Sequence, residues 1–258
     1  MSEWVKAHPI KIYVAMCLLP VHAIIWSMTW LGVEQSAMQP LKLLFSLLPT
    51  GSAFLLTYIG WGEEAVQNLW KRTFLKEGRL KAYSIALFVF IILGFLALAL
   101  RYTIDDYFPF LYEFSPISRV LLMTPLLLLF PGFTEEYGWR GFMQHRLQEK
   151  TPVFVASLFV GLVWGTWHTM DFYMGNWPFS WLNVAAMYAY ITGVSIVIGG
   201  LYTHFRASIF VAMLAHYSAN AISGFTPVFS LDQGYLTPII FIGLIWTCAL
   251  GVLFVKKK

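Results

Sequence analysis

Charge is what this chain has least of. Only 12% of its 258 residues are Asp, Glu, Lys or Arg, where a soluble globular domain carries about 25%, so an ordinary water-solvated surface is excluded. Cysteine is nearly absent. Cys17 and Cys248 fall in the first and last apolar stretches with no paired spacing, which excludes a disulfide framework and a cysteine-based metal or redox motif. Also missing are a fixed-period repeat, a low-complexity tract and a polar segment large enough for a second domain, so residues 1–258 read as one membrane domain. A cleavable leader is not expected either. The first apolar stretch is as long as a full span and runs into Trp26 and Trp30 rather than small residues.

What is present is apolar: 59% hydrophobic residues, with 11 Trp, 22 Phe and 13 Tyr. Runs of about 20 such residues can cross roughly 30 Å of hydrocarbon as helices, and helices satisfy their own backbone there. The expected fold is therefore all-α, a polytopic transmembrane bundle of about eight spans. They are placed at residues 12–33, 43–61, 82–100, 117–147, 151–170, 181–203, 207–225 and 236–255. The fourth is irregular, since Pro125 and Pro131 interrupt its apolar part before a charged cluster begins.

Lys and Arg are enriched in cytoplasmic loops. With the N-terminus inside, fourteen basic residues fall on one side and only Lys42, Arg101 and Arg119 on the other. This predicts a multi-pass cell-membrane protein with both termini cytoplasmic, and residues 62–81 as the longest cytoplasmic loop, facing lipid headgroups. The pI near 9.0 then reflects those loops, and no nucleic-acid partner is implied.

Three polar clusters interrupt the apolar spans: Glu135-Glu136 with Trp139 and Arg140, Trp164 with His168, and His216 with Asn220. Ionisable groups inside a membrane are costly and mark a site. Residues four apart share a helix face, so Glu136 aligns with Arg140 as a buried ion pair and Glu135 aligns with Trp139. Glu135 is left without a partner, the state in which a carboxylate can take a proton from water. The turn between spans four and five falls near Thr151-Pro152, and antiparallel helices leaving it place Glu135 and His168 at one height. The polar end 144–148 is expected to protrude into the cytoplasm, and the site to open on that side. Asp171, Asn176 and Trp177 read as an outer loop, and His22, His145 and His204 are given no role. Gly161 with Gly165 reads as a close helix contact.

These motifs, over residues 117–225, resemble the CPBP intramembrane proteases, which include type II CAAX prenyl endopeptidases and bacteriocin-processing, Abi-like membrane proteins. The family pattern is Glu-Glu-x-x-x-Arg, an aromatic residue four before a His, and His-x-x-x-Asn; Trp164 stands where Phe is usual. The resemblance implies peptide-bond hydrolysis by a water that Glu135 activates with help from His168, while His216 and Asn220 stabilise the oxyanion and Trp139 and Trp164 form the pocket wall. The implied partners are membrane lipid and a substrate that is either a prenylated C-terminal tail or a leader or bacteriocin-type peptide. The favoured expectation is water activation without a cofactor, with a single divalent metal such as zinc as the alternative. Glu135, His168 and His216 would also make a zinc ligand set, although a His-Glu-x-x-His helix is missing. Two other readings remain open: an inactive immunity or scaffold protein, and a proton-coupled transporter.

Overall fold

The computed structural model describes residues 2–75, 77–106, 130–229 and 234–255. It is helical throughout, with no strand among the described residues. The short α1 (Ser2–Ala7) leads into α2 (Pro9–Trp30), α3 (Gln35–Lys71) and α4 (Arg79–Asp105). Residues 130–136 are α-helical, Tyr137–Gln144 wind as a π-helix, and His145–Leu147 close with an α turn; together they form α5. Then follow α6 (Val153–His168), α7 (Met170–Tyr173), α8 (Trp181–His204), α9 (Ile209–Phe225) and α10 (Leu236–Gly251).

Among the described residues six helical segments are long and apolar enough to cross a membrane, and Ile209–Phe225 is a shorter apolar helix. Its 17 residues rise about 26 Å, just under a hydrocarbon core. Seven of the eight expected spans thus correspond to apolar helices; of the fourth, residues 117–129 lie outside the described residues. One boundary needs correction. The expected loop 62–81 is helical as far as Lys71: Gly62, at φ 80° and ψ −173°, breaks α3 with a kink, and a second helical arm continues beyond it. Only glycine adopts that backbone at little cost.

The bundle has two ends. α3 starts at the same end as the segment 170–181, since Lys42 pairs with Asp171 at 2.7 Å and Gln39 donates to the Met174 carbonyl. It finishes at the end where α9 begins, with Ile209 N–H donating to the Arg72 carbonyl at 2.9 Å. Glycines set the close packing in between. A Cβ on Gly161 would press into Thr192 and Ser195 of α8, and one on Gly165 into the Tyr188 ring. The expected close contact of α6 is therefore made with α8. α5 is clamped in the same way, since a Cβ on Gly138 would collide with the Tyr13 hydroxyl and the Pro49 carbonyl.

Candidate active site

Both glutamates of α5 are buried, and they face different partners. Glu136 Oε1 accepts from Arg140 Nη1 at 2.8 Å and meets His216 Nδ1 at 2.7 Å. Both side chains of the Glu136–Arg140 pair are wholly enclosed. Arg140 Nη2 reaches Ser195 Oγ on α8 at 3.2 Å, and that hydroxyl donates to the Ser157 carbonyl on α6. A single ion pair therefore ties α5, α6, α8 and α9 together. Arg140, tallied with the cytoplasmic basic residues in the sequence, lies inside the bundle.

Glu135 was expected to stand without a partner. Instead, its Oε2 accepts two indole N–H groups, from Trp164 at 2.9 Å and from Trp139 at 3.1 Å. These donors offset part of the cost of burying a carboxylate. Trp139 and Trp164 are thus more than pocket wall. The Trp164 ring also lies 4.9 Å from the His216 ring and 5.7 Å from that of His168, centroid to centroid, so one indole meets Glu135, His168 and His216.

The bond to Trp164 ties Glu135 to α6 one helical turn before His168. The π segment Tyr137–Gln144 follows directly on the two glutamates, and such single-turn widenings of a helix recur at functional sites.

His168 is oriented from a place the sequence reading had treated as an outer loop. Its Nδ1 lies 2.8 Å from Asp171 Oδ2, and the other oxygen of that buried carboxylate takes Lys42 Nζ and Asn176 Nδ2, each at 2.7 Å. Trp177 stacks on the His168 ring with centroids 6.0 Å apart. His22, given no role, bonds Thr169 Oγ1 at 2.9 Å next door. One signal was available in the sequence: Asp171 follows His168 at i+3, which brings the two side chains to one face of a helical turn.

A cavity of about 350 Å³ is lined by Trp164, His168, Asn220, Tyr190 and a mostly apolar wall that includes Met187, Ile191 and Phe229. Asn220 and His168 thus share one space. Tyr190 donates to the Ala219 carbonyl beside Asn220. The cavity also touches Phe172, Trp177, Pro178, Tyr235 and Pro238, so it lies toward the end of the bundle that carries the 170–181 segment. The basic loops are at the opposite end. This corrects the expectation of a site open at the basic face. The stretch 144–148 does not simply protrude either: Gln144 Nε2 donates to the Gly199 carbonyl at 3.1 Å and Gln148 Nε2 to Thr203 Oγ1 at 2.8 Å. With Arg140–Ser195 these bonds form a ladder in steps of four residues between α5 and α8.

No group of three or more His, Cys, Asp or Glu side chains among the described residues stands where it could hold a metal ion. His168 and His216 meet their carboxylates through Nδ1 and keep Nε2 free, and Glu135 meets its two indoles through Oε2. No chemical step is routed through a metal.

Fold and site together define a polytopic helical membrane protein in which buried Glu135, Glu136 and His216 lie behind Trp164, and a cavity lined by Trp164, His168 and Asn220 lies in front of it. Residues 117–222 match the family model for the type II CAAX prenyl endopeptidase Rce1-like family. A curated relative, CAAX prenyl protease 2 of Methanococcus maripaludis, is 26% identical over 157 residues, which is 58% of this chain and 54% of the relative. The chain thus spans about half the length of that relative. The motif-bearing region is similar to the Rce1-like family, and the resemblance read from the Glu-Glu, His and His/Asn motifs is borne out there.

Proposed function

We propose that this protein is an intramembrane endopeptidase in which Glu135 activates water. The observation that carries the reading is the placement of Trp164, whose indole bonds Glu135 while its ring meets both His168 and His216. A carboxylate acceptor requires a proton on the nitrogen that faces it. Asp171 and Glu136 therefore take the Nδ1–H of His168 and His216, which leaves each Nε2 for chemistry. On neutral His168, Nε2 can accept from the attacking water and help Glu135 remove its proton. On protonated His216, Nε2 donates to the carbonyl oxygen with the Asn220 amide as it becomes an oxyanion.

Charge balances through this step. With Glu135 and Glu136 ionised and Arg140 and His216 cationic, the four-residue cluster is neutral. When Glu135 takes the water proton, the cluster gains one positive charge as the oxyanion gains one negative. Glu135 then returns the proton to the leaving amine.

The substrate is a peptide or protein segment whose scissile bond enters the apolar cavity. The fourteen-to-three asymmetry of basic residues favours cytoplasmic termini. The cavity then faces the outer half of the membrane, where a leader or small membrane peptide can reach it. The relative named as a prenyl protease favours a second reading, a prenylated C-terminal tail, which requires the opposite orientation because such tails are cytoplasmic. Labelling single cysteines placed in the 174–180 segment of intact cells separates the two. Reaction with an impermeant reagent supports the peptide, and protection from it supports the tail.

The activity itself is tested with Glu135→Gln. The membrane peptides of cells making the wild-type protein should contain cleavage products that are missing with the variant, and the variant should retain bound, uncleaved substrate. Equal products from both proteins would remove the glutamate mechanism. An inactive scaffold predicts no products from either. Loss of wild-type cleavage on chelation, restored by zinc, would replace glutamate-activated water with metal chemistry.

A further inference from the structure

At the end of the bundle opposite the cavity, α1, the start of α2, the arm of α3 beyond Gly62 and the end of α5 enclose a groove of about 940 Å³. Six cationic side chains line it, Lys6, Lys11, Lys71, Arg72, Arg146 and Lys150, against the single carboxylate of Glu149. We infer that this groove binds the headgroup of an anionic phospholipid.

Two of the cations are fixed in advance. Arg72 donates to the Tyr202 hydroxyl at 3.0 Å and to the Gly141 carbonyl at 2.8 Å. The Arg146 guanidinium lies over the rings of Trp61 and Phe142, at 4.2 and 3.8 Å from their centroids. Guanidiniums held this way lose little freedom when an anion arrives. Lys11, Lys71 and Lys150 are exposed and form no ion pair among the described residues, so three mobile ammonium groups surround the two fixed guanidiniums. Lys6 is partly engaged by Glu3 at 2.9 Å.

Lipid is favoured over a small free anion by what borders the groove. Trp61 on its wall is 39% exposed. Exposed aromatic rings at the ends of apolar spans sit at headgroup level. The groove therefore offers phosphate-matching charge where a lipid phosphate lies, with apolar surface leading into the bilayer. Basic pockets of this kind between spans hold anionic headgroups.

The test uses the full chain in neutral detergent, with thermal stability followed as dioleoyl phosphatidylglycerol, phosphatidylcholine or inorganic phosphate is titrated in. Phosphatidylglycerol alone should raise the melting temperature. The triple variant Lys11→Gln, Lys71→Gln, Lys150→Gln should need roughly 100-fold more of it, at about fivefold per lysine. Three basic residues outside the groove provide the control, Arg79→Gln, Lys81→Gln and Arg206→Gln, which should respond like the wild type. Should the groove triple fail to fold, Lys150→Gln alone is expected to show the fivefold step. Equal stabilisation by phosphatidylcholine or by inorganic phosphate would overturn the site. So would an equal loss in the control, which would reduce the effect to diffuse surface charge.

Discussion

The two ends of this bundle treat charge in opposite ways. At the cavity end the described cations are committed to carboxylates: Lys42 to Asp171 and Arg101 to Asp105, both at 2.7 Å. At the other end Lys11, Lys71 and Lys150 stand exposed around a groove. A committed charge fixes the position of a neighbour, and here the neighbour is His168. An uncommitted one remains available for a partner that comes and goes. Substitutions at the two ends should therefore differ in kind as well as in size.

The largest contrast should come from the site itself. His168→Ala is expected to lower cleavage by about 1000-fold or more with the thermal melt unchanged, because the side chain is only partly enclosed and packs at the edge of the cavity. Lys150→Gln at the far end should leave cleavage at the wild-type rate. Peptide release under identical membrane conditions measures both. A His168→Ala protein that still turns over would detach the cavity from the chemistry.

Next in size is Arg140→Ala. Removing it strands the Glu136 carboxylate in a fully enclosed place and frees the link from α5 to Ser195, at a cost of about 3–5 kcal/mol. The folded fraction recovered from membranes should fall sharply. Against it, Lys71→Gln on the exposed arm should change stability by no more than about 0.5 kcal/mol. Equal yields from these two variants would mean that the buried pair contributes nothing the surface charges do not.

Asp171→Asn should have a smaller effect, confined to rate. An amide can offer Nδ1 of His168 a hydrogen where the carboxylate took one, so the ring can adopt the wrong tautomer. The expected result is a kcat reduced by about 10- to 100-fold with KM and the melt nearly unchanged, partly restored by Asp171→Glu. A rise in KM at constant kcat would instead make Asp171 part of the cavity wall rather than a positioning residue.

How far the sequence could be read follows from the same contrast. The Glu136–Arg140 alignment was legible because a four-residue spacing survives local distortion of the helix. The pairing of Glu135 with Trp164 was not, and nothing in Tyr137–Gln144 announces a π-helix. The seven described apolar helices were visible in hydropathy. The helical course of α3 past Gly62 was hidden by its polar composition. Asp171 was misplaced for a related reason. Its neighbourhood reads as an outer loop, yet its burial depends on Lys42, 129 positions away, and no local pattern reports so distant a partner.

The smallest effect concerns that partner. Lys42 retains 45% of its side-chain exposure, so water screens much of its attraction for Asp171, and the pair contributes about 1 kcal/mol or less. Lys42→Gln keeps a hydrogen-bond donor but removes the charge. The Asp171 carboxylate is then held by Asn176 and His168 alone, and the His168 ring it orients is fixed less firmly. Cleavage should fall by no more than about fivefold. The same substitution at Lys150 should leave the rate in place. If Lys42→Gln and Lys150→Gln give equal rates of peptide release, the cavity-end lysine is no more committed to the site than the groove lysines are.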